Sequence, residues 1–182
     1  MGNGGFTIFE TIVVVGIMVI VASLILANYP GFNERLGVRR ATEEIVSSVR
    51  QAQAYGLGVK ESGTGSGIFP GYGLYFQSTS PSSYIFFADR NGNLQYDAGG
   101  EKISEINITG GVQISDLCAN QKQAVAGPCG LANLTAIYLR PQPQVTLKSG
   151  GFSYADIEIK VRGSRGTTKT IILWLSGQVS IE

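Results

Sequence analysis

The sequence contains no histidine and only two cysteines, Cys118 and Cys129. Histidine is the commonest general base near neutral pH, so its absence removes Ser-His and Cys-His nucleophilic arrangements. The chain also lacks G-x-S-x-G, P-loop and H-E-x-x-H motifs, which would indicate hydrolase, nucleotide or zinc-protease chemistry. A structural zinc would need two more ligands than the cysteines supply. We therefore expect no enzyme and no catalytic residue.

Basic side chains are missing from the N-terminus, where the first one is Arg35. A secretory signal peptide would carry a basic segment and a small-residue cleavage site after a shorter apolar core. Without flanking basic residues in the first segment, the positive-inside rule cannot orient it. The formal net charge of +1 gives no overall signature of nucleic-acid binding.

An apolar run from Phe6 to Ala27 contains a single ionisable side chain, Glu10. As a helix the run is about 33 Å long, enough to cross a hydrocarbon core of about 30 Å. A charge within such a segment costs about 2.5 to 3.5 kcal/mol on insertion scales, so Glu10 needs a partner or a neutralising proton. The sequence therefore predicts a transmembrane segment over residues 6–28 and a role for Glu10.

The letters GFTIFETIVVVGIMVIVASLILA, starting at Gly5, resemble the N-terminus of type IV prepilins and type II secretion pseudopilins. In that family a prepilin peptidase cuts after the glycine and methylates the new terminal amine. The resemblance implies a leader over residues 1–5 and cleavage between Gly5 and Phe6. It also implies an assembly role for Phe6 and Glu10, in which the Phe6 ammonium neutralises the Glu10 carboxylate of a neighbouring subunit and sets the register of the helices.

The later letters RATEEIVSSVRQAQAYGLG resemble, more loosely, the helix of H-type pseudopilins and FimT-like minor pilins. The implied protein is a minor pilin or pseudopilin of the bacterial inner membrane, with one span and an extracytoplasmic C-terminal domain that later joins a pilus or pseudopilus filament. The implied partners are other pilin or pseudopilin subunits, the prepilin peptidase, the assembly platform and membrane lipid. Alternatives are a major pilin, a signal anchor with a stray glutamate, or an anchored DNA- or calcium-binding module that never polymerises.

An amphipathic pattern follows the apolar run and predicts a half-buried continuation of the helix. Together the two segments predict one helix over residues 6–57. Because proline lacks the N–H and clashes with the preceding turn, Pro30 predicts a bend or pause between Asn28 and Gly31. The apolar positions of the second half recur every three or four residues: Val38, Ala41, Ile45, Val49, Ala52 and Gly56.

Residues 58–182 read as a β-rich extracytoplasmic domain, with short alternating runs between glycines. The fold class is α+β: a pilin-like fold with one long helix packed on one twisted antiparallel sheet. Strict alternation predicts that Ile157, Ile159 and Val161 are buried while Glu158, Lys160 and Arg162 face water. The predicted strands and hairpins are Tyr72 to Phe76, Tyr84 to Phe87, a hairpin around Gly110-Gly111 that joins Lys102 to Ile108 with Val112 to Ile114, and a last hairpin at Ser176-Gly177.

The two cysteines bracket a short loop of small and polar residues. An exported domain meets an oxidising compartment, so Cys118 and Cys129 are expected to form a disulfide. The alternative is a pair of free thiols.

Oxygen-bearing side chains alternate along one loop, which makes it a candidate Ca²⁺ site. The match to an EF-hand loop is imperfect, since Leu94 stands where glycine is expected and the terminal glutamate comes one residue late. The alternative is a surface turn capped by its own Asp and Asn side chains. The candidate ligands are Asp89, Asn91, Asn93, Gln95, Asp97 and Glu101.

Four basic residues lie in or beside the sequence RGSRG: Lys160, Arg162, Arg165 and Lys169. Clustered cations at a hairpin tip can follow nucleic-acid phosphates, so this turn is a candidate DNA-binding site. A solubilising turn is the alternative.

Overall fold

The computed structural model describes residues 7–58, 60–61, 63, 66–141 and 144–182. Gly5 and Phe6, the predicted processing residues, lie outside the described residues. Within the described part, one α-helix precedes a domain built of β-strands.

Helix α1 runs without interruption from Ile8 to Leu57, and the Gly58 N–H donates to the Ala54 carbonyl at 3.1 Å. The predicted pause between Asn28 and Gly31 is therefore wrong, whereas the alternative of a bend there stays a prediction. Proline fixes φ near −65°, which is itself a helical value, so Pro30 removes one hydrogen bond without forcing the chain out of the helix.

Antiparallel strands make up the rest of the domain. The glycine-rich segments between them supply the turns, because several of their glycines adopt positive φ, which side chains with a Cβ disfavour. In chain order the strands are β1 Gly71–Gln77, β2 Ser83–Asp89, β3 Lys102–Asn107, β4 Gln113–Ala119, β5 Asn133–Tyr138, β6 Val145–Ser149, β7 Phe152–Ser153, β8 Asp156–Arg162, β9 Thr168–Trp174 and β10 Val179–Ile181.

The strands form two sheets, so the predicted single sheet is wrong. One sheet has six strands in the order β3-β2-β1-β5-β6-β7, and the other has four in the order β10-β9-β8-β4. The helix contacts β1 and β5 of the first sheet and β8 and β9 of the second. One helix face thus covers both sheets, which confirms the α+β class and the long helix on antiparallel strands.

The predicted hairpin at Gly110-Gly111 is also wrong. Both glycines have positive φ, at 77° and 69°, as a tight turn requires. The flanking strands nevertheless pair elsewhere, because β3 pairs with β2 and β4 pairs with β8. The turn carries the chain from one sheet to the other.

Strand β8 has its predicted inner face, since Ile157, Ile159 and Val161 are fully buried. Its other face departs from the prediction at Glu158, which is only 6% exposed. The Glu158 carboxylate lies 3.6 Å from the Lys122 ammonium, and Lys122 also pairs with Glu182, whose hydrogen bond raises the pKa of Lys122. The loop after β4 therefore covers one end of a strand face that was expected to be wet.

The core lies between the second half of α1 and the two sheets. Ile45 and Val49 have no exposed surface, and the Ser48 and Tyr84 hydroxyls form a hydrogen bond of 2.8 Å between helix and sheet. At Gly56 a Cβ would lie 2.1 Å from the Tyr138 carbonyl oxygen. The helix therefore approaches β5 more closely than any side chain would allow.

Candidate functional site: the exposed half of the helix

The described side chains at the start of α1 have no protein covering them. Each one from Thr7 to Leu26 is exposed, and Val38 is the first buried side chain among those that the structure describes in the helix. Large apolar side chains dominate this surface, including Phe9, Met18 and Leu26 at 66% to 77% exposure. By length and composition the segment can cross a membrane. Exposed apolar surface on this scale marks a membrane or protein contact.

The helix begins with a capping interaction that the sequence reading did not use. Thr7 is the N-cap, and its hydroxyl accepts a hydrogen bond from the Glu10 N–H at 3.3 Å. The spacing T-x-x-E is that of a capping box, so the signal was present in the sequence. Glu10 also lies in the first turn, where the helix dipole favours a negative charge. The backbone N–H of Glu10 therefore takes part in the cap, while the predicted assembly role belongs to its carboxylate.

Two aromatic residues mark the far end of the apolar surface. Tyr29 and Phe32 are 58% and 59% exposed, and they share one open surface of the helix with Val21, Leu24 and Ile25. Exposed aromatic side chains at the end of an apolar helix are typical of the membrane–water interface. Residues 29–32 are therefore the candidate position of a membrane–water interface.

The predicted disulfide is confirmed. Cys118 and Cys129 are bonded, with their Cα atoms 4.0 Å apart. Cys118 is buried at the end of β4, whereas Cys129 is exposed. A carboxylate oxygen of Asp116 lies within 4.8 Å of both sulfurs. Because the sulfurs are joined to each other, they are not available as thiolate ligands for a metal.

Two carboxylates of the candidate calcium loop are buried and bind backbone N–H groups. Asp89, at 3% exposure, accepts from the Gly92 and Leu94 amides at 2.8 and 2.9 Å. Glu101, at 4% exposure, accepts from the Arg90 and Asp97 amides at 3.1 and 2.9 Å. Both carboxylates therefore stabilise the loop backbone directly.

The remaining candidate ligands bind each other. The Asp97 carboxylate accepts from the Asn91 and Asn93 side-chain amides, each at 2.7 Å. The side-chain oxygen Oδ1 of Asn93 in turn accepts from the Gln95 backbone N–H at 2.8 Å. Within the described residues, Asp89, Asp97 and Glu101 do not bring three carboxylate oxygens within 4.8 Å of one another. These bonds are those of a self-capped turn, and calcium binding stays a prediction.

The four basic residues of the candidate DNA site do not share one surface. Lys169 is paired with Val161 across β8 and β9, so it lies on the sheet face that bears the core, and it lines a cleft with Arg39 and Glu43 of the helix. Lys160 lies on the opposite face, 3.5 Å from the Asp116 carboxylate. DNA binding by the whole set stays a prediction.

Glu34 of the helix forms hydrogen bonds with the turn that contains Arg165. The Glu34 carboxylate accepts from the Arg165 and Thr167 amides at 2.8 and 3.1 Å. A Cβ at Gly163 would lie 2.4 Å from that carboxylate, so glycine allows the close approach. Sequence reasoning missed this contact, because nothing local relates residues 34 and 165.

No protein-family model matches this chain, and no curated protein or solved structure matches it either.

Proposed function

We propose that this chain is a membrane-anchored, pilin-like subunit that assembles into a filament through the first half of its helix. The observation that carries the proposal is one uninterrupted helix with two environments: apolar side chains are exposed from Ile8 to Leu26, and the core begins at Val38. Together with the resemblance over residues 5–27, this layout supports a minor pilin or pseudopilin of the H or FimT-like type.

Glu10 supports assembly over simple anchoring. An anchor needs apolar length alone, and a carboxylate within it lowers the gain from insertion. The Thr7 cap satisfies the backbone N–H of Glu10, but among the described residues no cation forms an ion pair with the Glu10 carboxylate. In a filament, the Phe6 ammonium of a neighbouring subunit would supply that partner.

The proposed location is the bacterial inner membrane, with the β-domain outside the cytoplasm and later in a pilus or pseudopilus. The Cys118–Cys129 disulfide supports an oxidising compartment. The proposed partners are other subunits of the filament, the prepilin peptidase and the assembly platform.

Three variants separate the charge of Glu10 from the Thr7 cap. Glu10→Gln and Glu10→Ala both remove the anion and keep the backbone N–H that donates to the Thr7 hydroxyl. Thr7→Ala removes the cap and keeps the anion. We expect Glu10→Gln and Glu10→Ala to accumulate in the membrane yet to drop sharply in sheared filaments. Thr7→Ala should assemble nearly as well as the unaltered chain.

Wild-type incorporation of Glu10→Gln would mean that the charge has no assembly role, and an anchored module that does not polymerise would then be the better explanation. Intact mass of the mature protein gives an independent check. We expect loss of the first five residues and one added methyl group, whereas an uncut chain would contradict the pilin proposal.

A further inference from the structure

A cleft of about 510 Å³ lies where the helix enters the β-domain. Residues from Asn33 to Arg40 form its helical wall, and Gly110 with Ser164 and Arg165 form the opposite wall. Arg162 lines a second cleft that shares Ser164 with the first. Three arginine side chains from two distant parts of the sequence thus line two adjoining clefts.

The charge of this region is positive. Across the described residues, Arg40, Arg162 and Arg165 take part in none of the ion pairs. The carboxylate in the cleft wall is Glu34, and one of its oxygens already accepts two backbone N–H groups of the turn. Guanidinium groups bind phosphate oxygens through paired, charge-assisted hydrogen bonds. The cleft therefore has the chemistry of a phosphate site.

In the proposed membrane span, the cleft would lie at the depth of lipid headgroups. Glu34 follows Phe32, the last exposed aromatic of the interface, by two residues or about 3 Å along the helix. Its bond to the Arg165 amide brings the turn to that same level. Arg40 lies about 12 Å beyond Phe32, and helical side chains tilt toward the N-terminus, here toward the bilayer. Arginine side chains readily extend to an interface in this way.

We propose that this cleft, which we call the arginine cleft, binds the phosphate headgroup of an anionic phospholipid on the side where α1 leaves the membrane. The inference rests on the proposed membrane span and adds a lipid class to it. A lipid fits better than duplex DNA, because Lys160 and Lys169 lie on opposite faces of the four-stranded sheet and so form no continuous basic track with the cleft. A bound headgroup would fix the depth and tilt of the β-domain before assembly.

The test uses the full chain in nanodiscs made of equal parts phosphatidylcholine and phosphatidylglycerol. The protein is released into mild detergent, and the lipids that stay bound are counted by mass spectrometry. We expect phosphatidylglycerol to be enriched about fivefold, as one favourable arginine contact at a membrane surface would give. Arg40→Gln/Arg165→Gln should return the ratio to that of the disc.

A matched control removes two positive charges far from the interface. Arg50→Gln/Lys148→Gln should keep the enrichment, since Arg50 lies ten residues further along the helix and Lys148 lies in β6. If the unaltered chain retains lipids in the ratio of the disc, the lipid site is overturned. Equal loss of phosphatidylglycerol enrichment in both double variants would also overturn it.

Two competitors test whether the cleft binds phosphate from a source other than lipid. An excess of inorganic phosphate or of duplex DNA should leave the enrichment unchanged, and displacement of the lipid by either one would overturn the lipid assignment. A chain that fails to enter the discs contradicts the proposed membrane function itself. A chain that enters them but retains lipids in the bulk ratio overturns the lipid site alone.

Discussion

The two halves of α1 share one backbone geometry and differ in what covers them. From Ile8 to Leu26 the side chains are exposed and mostly apolar, whereas between Val38 and Ala52 one helical face is buried against two sheets. In the second half, packing within the same chain stabilises the helix. In the first half, the bonds among the described residues are those of the helix itself: backbone hydrogen bonds, the Thr7 cap, and the Thr11 and Ser23 hydroxyls that donate to carbonyls of the preceding turn. Under the proposed function, lipid or neighbouring subunits would supply the covering surface.

A continuous helix therefore does not imply that its two halves share one function. Side-chain environment, rather than secondary structure, divides the molecule, and the division falls between Leu26 and Val38. Substitutions of one type placed in each half should therefore have different effects on unfolding of the β-domain.

The largest expected effect comes from core truncation. Ile45→Ala removes a side chain with no exposed surface and should lower the free energy of unfolding of the β-domain by about 2 to 5 kcal/mol. Ile20→Ala removes the same atoms from a position that is 62% exposed and should leave that free energy unchanged. Urea unfolding in one detergent checks both, and equal losses would contradict the division of the helix.

The disulfide belongs wholly to the β-domain. Cys118→Ala/Cys129→Ala opens a loop with a sequence separation of 11, which should cost about 3 kcal/mol in the chain-entropy model. Among the described residues, the first half of the helix makes no contact with this loop, so under the proposed function the variant should still be found in the membrane fraction. Unfolding with and without reductant measures the cost in the unaltered chain, and no change would contradict the structural role of the bond.

Two glycines in the helix give a smaller contrast. Gly56→Ala places a Cβ against the Tyr138 carbonyl and should cost about 1 to 3 kcal/mol by overpacking. At Gly31 nothing lies within 4 Å of an added Cβ, so Gly31→Ala should be neutral or stabilise the helix by up to about 1 kcal/mol. Thermal unfolding separates the two, and a stable Gly56→Ala variant would show that the helix does not approach β5 this closely.

The smallest effect is confined to alkaline pH. Burial raises the pKa of Tyr84 and of Tyr138 to about 12, against about 10 in an unfolded chain. Their contribution to stability is therefore complete below pH 10 and is lost as the pH rises toward 12. The difference between the urea midpoints at pH 8 and pH 11 should be smaller in Tyr84→Phe/Tyr138→Phe than in the unaltered chain. Tyr29→Phe, in an exposed position, should leave the alkaline loss intact.

Sequence periodicity predicted those features whose signal is local. The apolar run, the alternation in β8 and the short spacing of the cysteines each have a local physical cause. Strand β5 was missed because all of its residues except Asn133 are buried, and a strand covered on both faces shows no alternation.

The two-sheet arrangement was missed for a different reason. Gly110-Gly111 has the composition of a hairpin turn. Which strands pair, however, depends on contacts between residues that are far apart in the sequence. The same holds for Glu34, whose hydrogen bonds reach the turn at Arg165 and Thr167. For the candidate site, the sequence predicted Glu10 and the apolar surface, but only the structure showed the arginine cleft.

Removal of the first half of the helix tests the central claim most directly. A chain of residues 31–182, exported with a cleavable signal, keeps Glu34 and every helical residue of the core. It should be recovered free of membranes, with the melting temperature of its β-domain within about 2 °C of the full chain, since less than about 1 kcal/mol of packing is removed. Misfolding of this shortened chain, or its continued association with membranes, would contradict the assignment of folding to one half of the helix and membrane contact to the other.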